Sequence, residues 1–397
     1  MVIAVWRPGF FPLIDIAVYR AAGIAVLTGS PLYTAPMVDL FLFTYTPFAG
    51  LMFAPLGLVS LATVKILATI VNLGCIVFAS WMCWRQLGYR RNTTLGLVSL
   101  LSAGLFVWLE PVWTTVALGQ INLVLLVLVL WDIGRKDRSL WKGVGIGIAA
   151  GIKLTPAILI LYFVITRRFT AAAVSIATFV STVEIGFLVL PSDAATYWGG
   201  TFLNANRVGP IEVPSNQSLN GMLARFTDTN APSTWAWLLM AIPVGFVGMV
   251  VAAWAHRRSH ELLGATLCSM TGTAVSPFSW EHHWVWFIPL TTFIAHLALS
   301  ERSNPRRRLL LCVVYILGFN WLVSFPTPGS GHVPAAGLFF LDTVPWIEYV
   351  SRNVYLLAFA IALMAAIGYL RTNEISKRSH SDSTVVWTDQ QASSGRG

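Results

Sequence analysis

Apolar and polar positions along this chain separate into long hydrophobic runs divided by short basic loops. Such runs cover about residues 62–84, 94–109, 112–131, 170–190, 234–255, 260–276, 283–299, 308–325 and 351–370. A helix crosses a hydrocarbon core in roughly 20 mostly apolar residues, so each run predicts a membrane helix. Residues 140–166 break the pattern, because GVGIGIAAGI and LTPAILILYFVI are each too short to span and are separated by Lys153, with Pro156 close behind. They predict a re-entrant pair or two strongly tilted helices. From 371 to 397 the pattern is lost, and a stretch rich in Ser, Thr and Gln reads as a disordered tail.

Composition agrees with the pattern. Of 397 residues, 56% are hydrophobic and 11% charged, against about 25% charged in a soluble domain. The fold class expected is therefore all-α, a polytopic integral membrane protein forming a single domain over residues 1–370, without internal repeats. The net charge of +9 is carried by short loops, as the positive-inside bias requires, and does not point to nucleic acid. Cys75, Cys83, Cys268 and Cys312 fall inside apolar segments without metal or disulfide spacing, and read as small hydrophobes.

The basic clusters orient the chain. Arg85, Arg90 and Arg91 share one loop; Arg135, Lys136, Arg138 and Lys142 another; Arg167 and Arg168 a third. His256, Arg257 and Arg258 follow, then Arg302 with Arg306, Arg307 and Arg308, then Lys377 and Arg378 in the tail. All of them fit on the cytoplasmic side if residues 140–166 enter and leave by one face. The opposite face then receives residues 1–60, the turn at Glu110 and Pro111, and residues 191–233, 276–283 and 326–350. No spanning helix is evident within 1–60, and the opening MVIAVW is too short for a signal peptide or a span. The expectation is a true start further upstream.

The chemistry-bearing residues gather on that outer face. Asp15 in FPLIDIAVYR is a lone carboxylate among apolar neighbours, with Tyr19 and Arg20 about one turn further on. It either pairs with Arg20 or faces solvent, or it acts as a general base towards a sugar hydroxyl. In SPFSWEHHW, Glu281, His282 and His283 form a polar turn amid tryptophans that suit an interfacial belt. Adjacent helical histidines point about 100 degrees apart, a poor chelating arrangement, so hydrogen bonding to phosphate or sugar is favoured and no metal is expected. Lys153 either snorkels or meets a phosphate at the helix break. Asn216, Gln217, Asn220 and Arg225, with Trp198, Asn204, Asn206 and Arg207, and Gln120 with Asn122, are the amides, cations and rings expected to contact a carbohydrate or phosphate. His332 reads as a plain loop residue. Phosphate-cradling loops, dinucleotide fingerprints and hydrolase elbows are absent from the sequence, so a sugar donor would arrive on a lipid.

The ordered stretches IDIAVYRAAGIAVLTGSPLY, FTYTPFAGLMFAPLG, GQINLVLLVLVLWD, GIKLTPAILILYFVITRRF, SNQSLNGMLARF and SPFSWEHHWVW resemble glycosyltransferase family 87, from about residue 13 to 325. The resemblance implies a GT-C type enzyme of about 10–12 membrane helices, multi-pass in the plasma membrane, with a catalytic domain over 1–370 and a cytoplasmic tail. It implies an extracytoplasmic active site, a polyprenyl-phosphate-mannose donor, a lipid-anchored mannoside acceptor and inversion to an α linkage without a cofactor. Asp15 matches the family's D-x-x-V-Y aspartate, His282 or His283 its turn histidine, and Lys153 its lysine before a proline. Tyr19, Arg20, Gln120, Asn122, Lys153, Asn216, Gln217, Asn220, Arg225 and Glu281 are the expected substrate contacts. The chain departs from the family in lacking its first spanning helix. The acceptor implied is a lipomannan, lipoarabinomannan or phosphatidylinositol mannoside. Another lipid-linked sugar such as arabinofuranose, a lipid or solute transporter, and a structural scaffold remain the alternatives.

Overall fold

A computed structural model describes residues 13–204, 207–300, 304–327, 331–340 and 344–372. The MVIAVW opening, Asn206, Arg302 and the tail beyond 372, with Lys377 and Arg378, lie outside the described residues.

Helices α1 (Ile14–Thr28) and α2 (Pro47–Gly57) lead into α3 (Leu61–Gln86), α4 (Thr93–Phe106), α5 (Glu110–Leu118) and α6 (Asn122–Ile133). Then come α7 (Val144–Ile152), α8 (Ile158–Ile165), α9 (Phe169–Val189), α10 (Pro191–Trp198) and α11 (Leu219–Thr227). The chain continues through α12 (Thr234–Arg257), α13 (Glu261–Val275), α14 (Phe287–Leu299), α15 (Pro305–Leu317), α16 (Pro345–Ser351) and α17 (Val354–Thr372). Among the described residues four of these, α3, α9, α12 and α17, are long and apolar enough to cross a membrane, and this is a membrane protein.

Three departures from the sequence reading matter. Residues 13–60 hold two packed helices, α1 against α2, in a stretch where the sequence shows no evident spanning helix. The run 112–131 is not one span, because the chain breaks at Gly119 and restarts at Asn122. The run 308–325 ends as helix at Leu317, and the chain then forms a hairpin of β1 (Leu322–Thr327) and β2 (Gly331–Ala336), with Leu322 opposite Ala336. His332 stands on β2 rather than in a loop. Apart from that hairpin and isolated bridges, the described residues are helix, turn and loop.

Residues 140–166 fold as a returning pair. Asp132 starts the pair by accepting the Gly143 N–H at 2.6 Å and the Ile146 N–H at 2.8 Å, which satisfies donors the first turn of α7 leaves open. A Cβ on Gly143 would strike Ala171, on Gly147 Thr178, and on Gly151 Thr182, so α7 climbs alongside α9 at close range. Lys153 is extended (φ −144°, ψ 131°) and Pro156 sits in a 3-10 turn, Thr155–Ala157. Helix α8 then runs back to the start of α9, so the pair enters and leaves by one end. Its tip delivers Lys153 to the site.

Candidate active site

Four separated pieces of sequence meet at one place: the first turn of α1, the α5–α6 break, the α7 tip and the turn before α14. The α5–α6 break is what allows the meeting. Gly119 adopts φ +72°, and a Cβ there would stand 2.8 Å from the Cβ of Ile16. Only glycine gives both that backbone angle and that approach. Ala117 also accepts the Leu13 N–H at 2.9 Å, which pins the start of α1 against the end of α5.

Asp15 lies in the first turn of α1, with the titratable groups His282, Lys153 and Glu281 and the Gln120 side chain as neighbours. Arg20 is directed elsewhere: its Nε donates to the Val59 carbonyl at 2.8 Å. Tyr19, one turn beyond Asp15, is buried with its hydroxyl 2.6 Å from that of Tyr45 and 2.8 Å from Gln120 Oε1.

The Lys153 ammonium is held by three groups. It donates to Asn122 Oδ1 at 3.0 Å, stands 2.8 Å from His283 Nε2, and lies 5.3 Å from the Tyr45 ring centre. Asn122 in turn donates through Nδ2 to the His282 carbonyl at 2.9 Å, fixing the turn to the α6 start. His283 is thus engaged by Lys153 through Nε2 with its Nδ1 unpartnered, whereas neither ring nitrogen of the buried His282 has a hydrogen-bond partner. Burial first, and then the Lys153 ammonium, push the His282 imidazole down to about 3, so it is neutral at physiological pH. Glu281 stands beside it, Oε1 lying 3.7 Å from His282 Nδ1, and burial raises its carboxyl to about 8. One turn residue is therefore a neutral imidazole, and burial favours the protonated form of its neighbour.

Asn216, Gln217, Asn220 and Arg225 stand behind this turn, each hydrogen-bonded to protein groups, with Arg225 Nε left unpartnered. Asn216 Oδ1 accepts the Ser279 N–H at 3.0 Å, the Gln217 N–H donates to the Ser279 carbonyl at 2.8 Å, and the Glu281 N–H donates to Ser215 at 2.9 Å. Gln217 also reaches α17, accepting the Tyr355 N–H at 3.0 Å and donating to the Arg352 carbonyl at 2.8 Å. Asn220 donates to the Pro277 carbonyl at 3.0 Å. Arg225 donates to the carbonyls of Val213 and Asn216 and, at 2.6 Å, to Asn353 Oδ1. Arg207 donates to the Tyr33 carbonyl at 3.0 Å, and Asn204 is exposed. The amides of this loop clamp the turn.

Residues that sequence reasoning did not single out complete the site. Tyr45 joins Tyr19 and Gln120, its hydroxyl 2.8 Å from Gln120 Oε1. Buried Glu110 accepts from Thr114 and from Tyr355, beside Glu281. The signal for Glu110 was an acid at the start of an apolar run, two residues after Trp108, which reads equally as an interfacial turn. Among the described residues no group of three His, Cys, Asp or Glu is placed to hold a metal ion.

The sequence profile of Glycosyltransferase family 87 matches residues 43–277, a span that includes Lys153 and ends before the histidine turn. A polyprenol-phosphate-mannose-dependent alpha-(1-2)-phosphatidylinositol pentamannoside mannosyltransferase of Mycobacterium tuberculosis is 32% identical over 336 residues, 84% of this chain and 74% of that protein. A polyprenol-phosphate-mannose-dependent alpha-(1-2)-phosphatidylinositol mannoside mannosyltransferase of Mycolicibacterium smegmatis is 33% identical over 318 residues, 73% of this chain and 71% of that protein. No solved structure matches the chain significantly. With a profile match over more than half its length and relatives at this identity, the chain belongs to glycosyltransferase family 87.

Proposed function

We propose that this enzyme transfers mannose from a polyprenyl-phosphate-mannose donor to a mannose hydroxyl of a phosphatidylinositol-mannoside-type acceptor, forming an α-1,2 linkage at the outer face of the plasma membrane. The observation that carries the reading is the convergence of Asp15, Lys153 and His282 on one site from three distant parts of the chain. A carboxylate, an ammonium and a neutral imidazole are the groups a lipid-phosphate glycosyl transfer needs.

Asp15 takes the proton of the acceptor hydroxyl, and the oxygen attacks the anomeric carbon. The bond from that carbon to the phosphate oxygen breaks, and the polyprenyl phosphate leaves with the electron pair. Attack opposite to departure inverts a β-linked donor to an α product. Charge developing on the phosphate is met by Lys153, held ready by Asn122 and His283, and by a hydrogen bond from His282. Arg225 holds the loop in this scheme, since its guanidinium already serves protein acceptors. Neither Asp15 nor Lys153 requires a metal partner for these steps.

The test is a membrane assay with radiolabelled polyprenyl-phosphate mannose and defined mannoside acceptors, followed by linkage analysis. Labelled α-1,2-mannoside product is expected. Label transferred only from a polyprenyl-phosphate arabinofuranose donor, or lipid moved across the bilayer without donor turnover, contradicts the reading.

A further inference from the structure

Beside the Lys153–His283 contact lies a small polar chamber. It measures about 30 Å³ and is lined by Asn122 from α6, Thr155 and Pro156 from the turn after Lys153, Ser269 and Thr273 from α13, and His283. Two of the lining atoms, Ser269 Oγ and His283 Nδ1, have no hydrogen-bond partner among the described residues. Ser269 is 4% exposed. The other hydroxyls of α13 show the usual habit of such groups in a helix. Thr266, Thr271 and Thr273 each donate to the carbonyl four residues back, at 2.6, 2.6 and 3.0 Å. Ser269 makes no such bond, which leaves its hydroxyl available to the chamber. A buried polar atom without a partner is costly, and protein interiors commonly satisfy such atoms with ordered water. A water needs roughly 10–15 Å³ and two to four polar partners. The chamber provides both. Asn122 adds a third partner, because its Oδ1 serves Lys153 and one amide proton serves the His282 carbonyl, while the other proton remains.

We infer that this chamber is a hydration site, and that a water bridging Ser269 Oγ to His283 Nδ1 makes Ser269 a positioning residue for Lys153. The inference rests on Lys153 meeting the donor phosphate, as proposed above. An imidazole carries its two nitrogens on different edges, so a hydrogen bond at Nδ1 fixes the ring that brings Nε2 to 2.8 Å from Lys153 Nζ. Turning that ring over would put carbon where Nε2 now meets the lysine. His282 packs edge-on against the same ring, with 5.0 Å between centres and 81° between planes, and gives it no hydrogen bond. The water supplies that restraint. By accepting from Nδ1 it also selects the tautomer with Nε2 unprotonated, the form that can receive a proton from Lys153. The chain of contacts then runs from Ser269 through water and His283 to Lys153, with Asn122 holding the lysine from its other side.

The experiment compares purified full-length wild type with Ser269→Ala, Ser269→Val, His283→Ala, the double variant Ser269→Ala/His283→Ala, Thr271→Val and Lys153→Met. Each is assayed with labelled polyprenyl-phosphate mannose and a phosphatidylinositol mannoside. Ser269→Ala removes the hydroxyl with little change of volume, and Ser269→Val fills the chamber with methyl groups. Both are expected to raise donor KM by about 2- to 10-fold, the scale of one hydrogen bond, with acceptor KM unchanged. In the His283→Ala background Ser269→Ala adds no further rise, because its effect passes through that ring. Thr271→Val removes a hydroxyl of the same helix that does not line the chamber, and keeps wild-type kinetics. Nitrogen NMR of histidine-labelled protein, with the His283 signals assigned by their loss in His283→Ala, reads the ring directly. A protonated Nδ1 is expected in wild type and mixed tautomers in Ser269→Val. Full additivity of the Ser269 and His283 effects overturns the proposal, as does the same kinetic loss in Thr271→Val. Unchanged donor KM and unchanged His283 signals in Ser269→Val overturn it as well. Wild-type donor KM and transfer in Lys153→Met defeat the phosphate reading and the positioning role together; an impaired Lys153→Met beside a wild-type Ser269→Val defeats the positioning role alone.

Discussion

Lys153 Nζ lies 2.8 Å from His283 Nε2 and donates to Asn122 Oδ1 at 3.0 Å, so that nitrogen of His283 is spent on the lysine. His282 has both ring nitrogens unpartnered where His283 has only Nδ1, so His282 is the imidazole with more to offer a substrate. His282→Ala is therefore expected to lower kcat by about 10²–10³-fold, the scale of losing one donor to transition-state charge. His283→Ala instead loosens Lys153 and raises KM for the donor more than it lowers kcat. Steady-state kinetics of the two variants check the division of labour, and the reverse pattern assigns the catalytic role to His283.

Gly119 carries the approach of α1 to the site. Gly119→Ala places a Cβ 2.8 Å from Ile16 Cβ at φ +72°. The cost expected is about 1–3 kcal/mol from the backbone angle alone, with further loss because Asp15 is pushed from Gln120. Thermal unfolding in detergent and transfer activity should both fall. An unchanged Tm would show that α1 is not held here.

Arg225 binds two carbonyls and Asn353, tying the loop before α11 to the start of α17. Arg225→Ala should destabilise the protein by about 1.5–3 kcal/mol, the scale of a hydrogen-bonded buried charge, while donor KM in the folded fraction stays in place. A large rise in donor KM at unchanged stability would return Arg225 to the phosphate.

In the loop between α6 and α7, burial would raise the Asp137 carboxyl, but the Lys142 ammonium at 2.9 Å and the Arg168 guanidinium hold it below the usual range. A carboxyl depressed in the folded state contributes stability above its unfolded value, near 3.9, and that contribution is lost as pH falls through the folded value. Asp137→Asn should thus lower Tm at pH 7 and flatten the decline of Tm below about pH 4. A parallel acid decline in both proteins would contradict this ion pair.

The helical membrane class, the four long apolar helices α3, α9, α12 and α17 and the break at Lys153 were legible because hydropathy and a proline are local signals. So were Asp15, Lys153 and the histidine turn, since charged groups among apolar neighbours stand out. Helices α1 and α2 were not legible: α1 is fifteen residues long and α2 eleven, short of a span, and both are stabilised by packing that no periodicity records. The α5–α6 break was hidden because Gly119 to Asn122 interrupts an otherwise continuous apolar run. Amides in the loops were legible as residues and not as roles. Asn216 and Gln217 look the same in a sequence whether they face a sugar or a backbone carbonyl, and only the Ser279 and Tyr355 contacts separate the two. Arg20 was attractive for its nearness to Asp15, yet five positions along α1 carry it to Val59.

The most direct test of the account is transfer by purified Asp15→Asn in a single turnover with labelled polyprenyl-phosphate mannose and a phosphatidylinositol mannoside acceptor. Asparagine keeps the shape and the Gln120 neighbour but cannot take a proton. The account predicts normal folding and donor binding with mannose transfer abolished; transfer at the wild-type rate would contradict it.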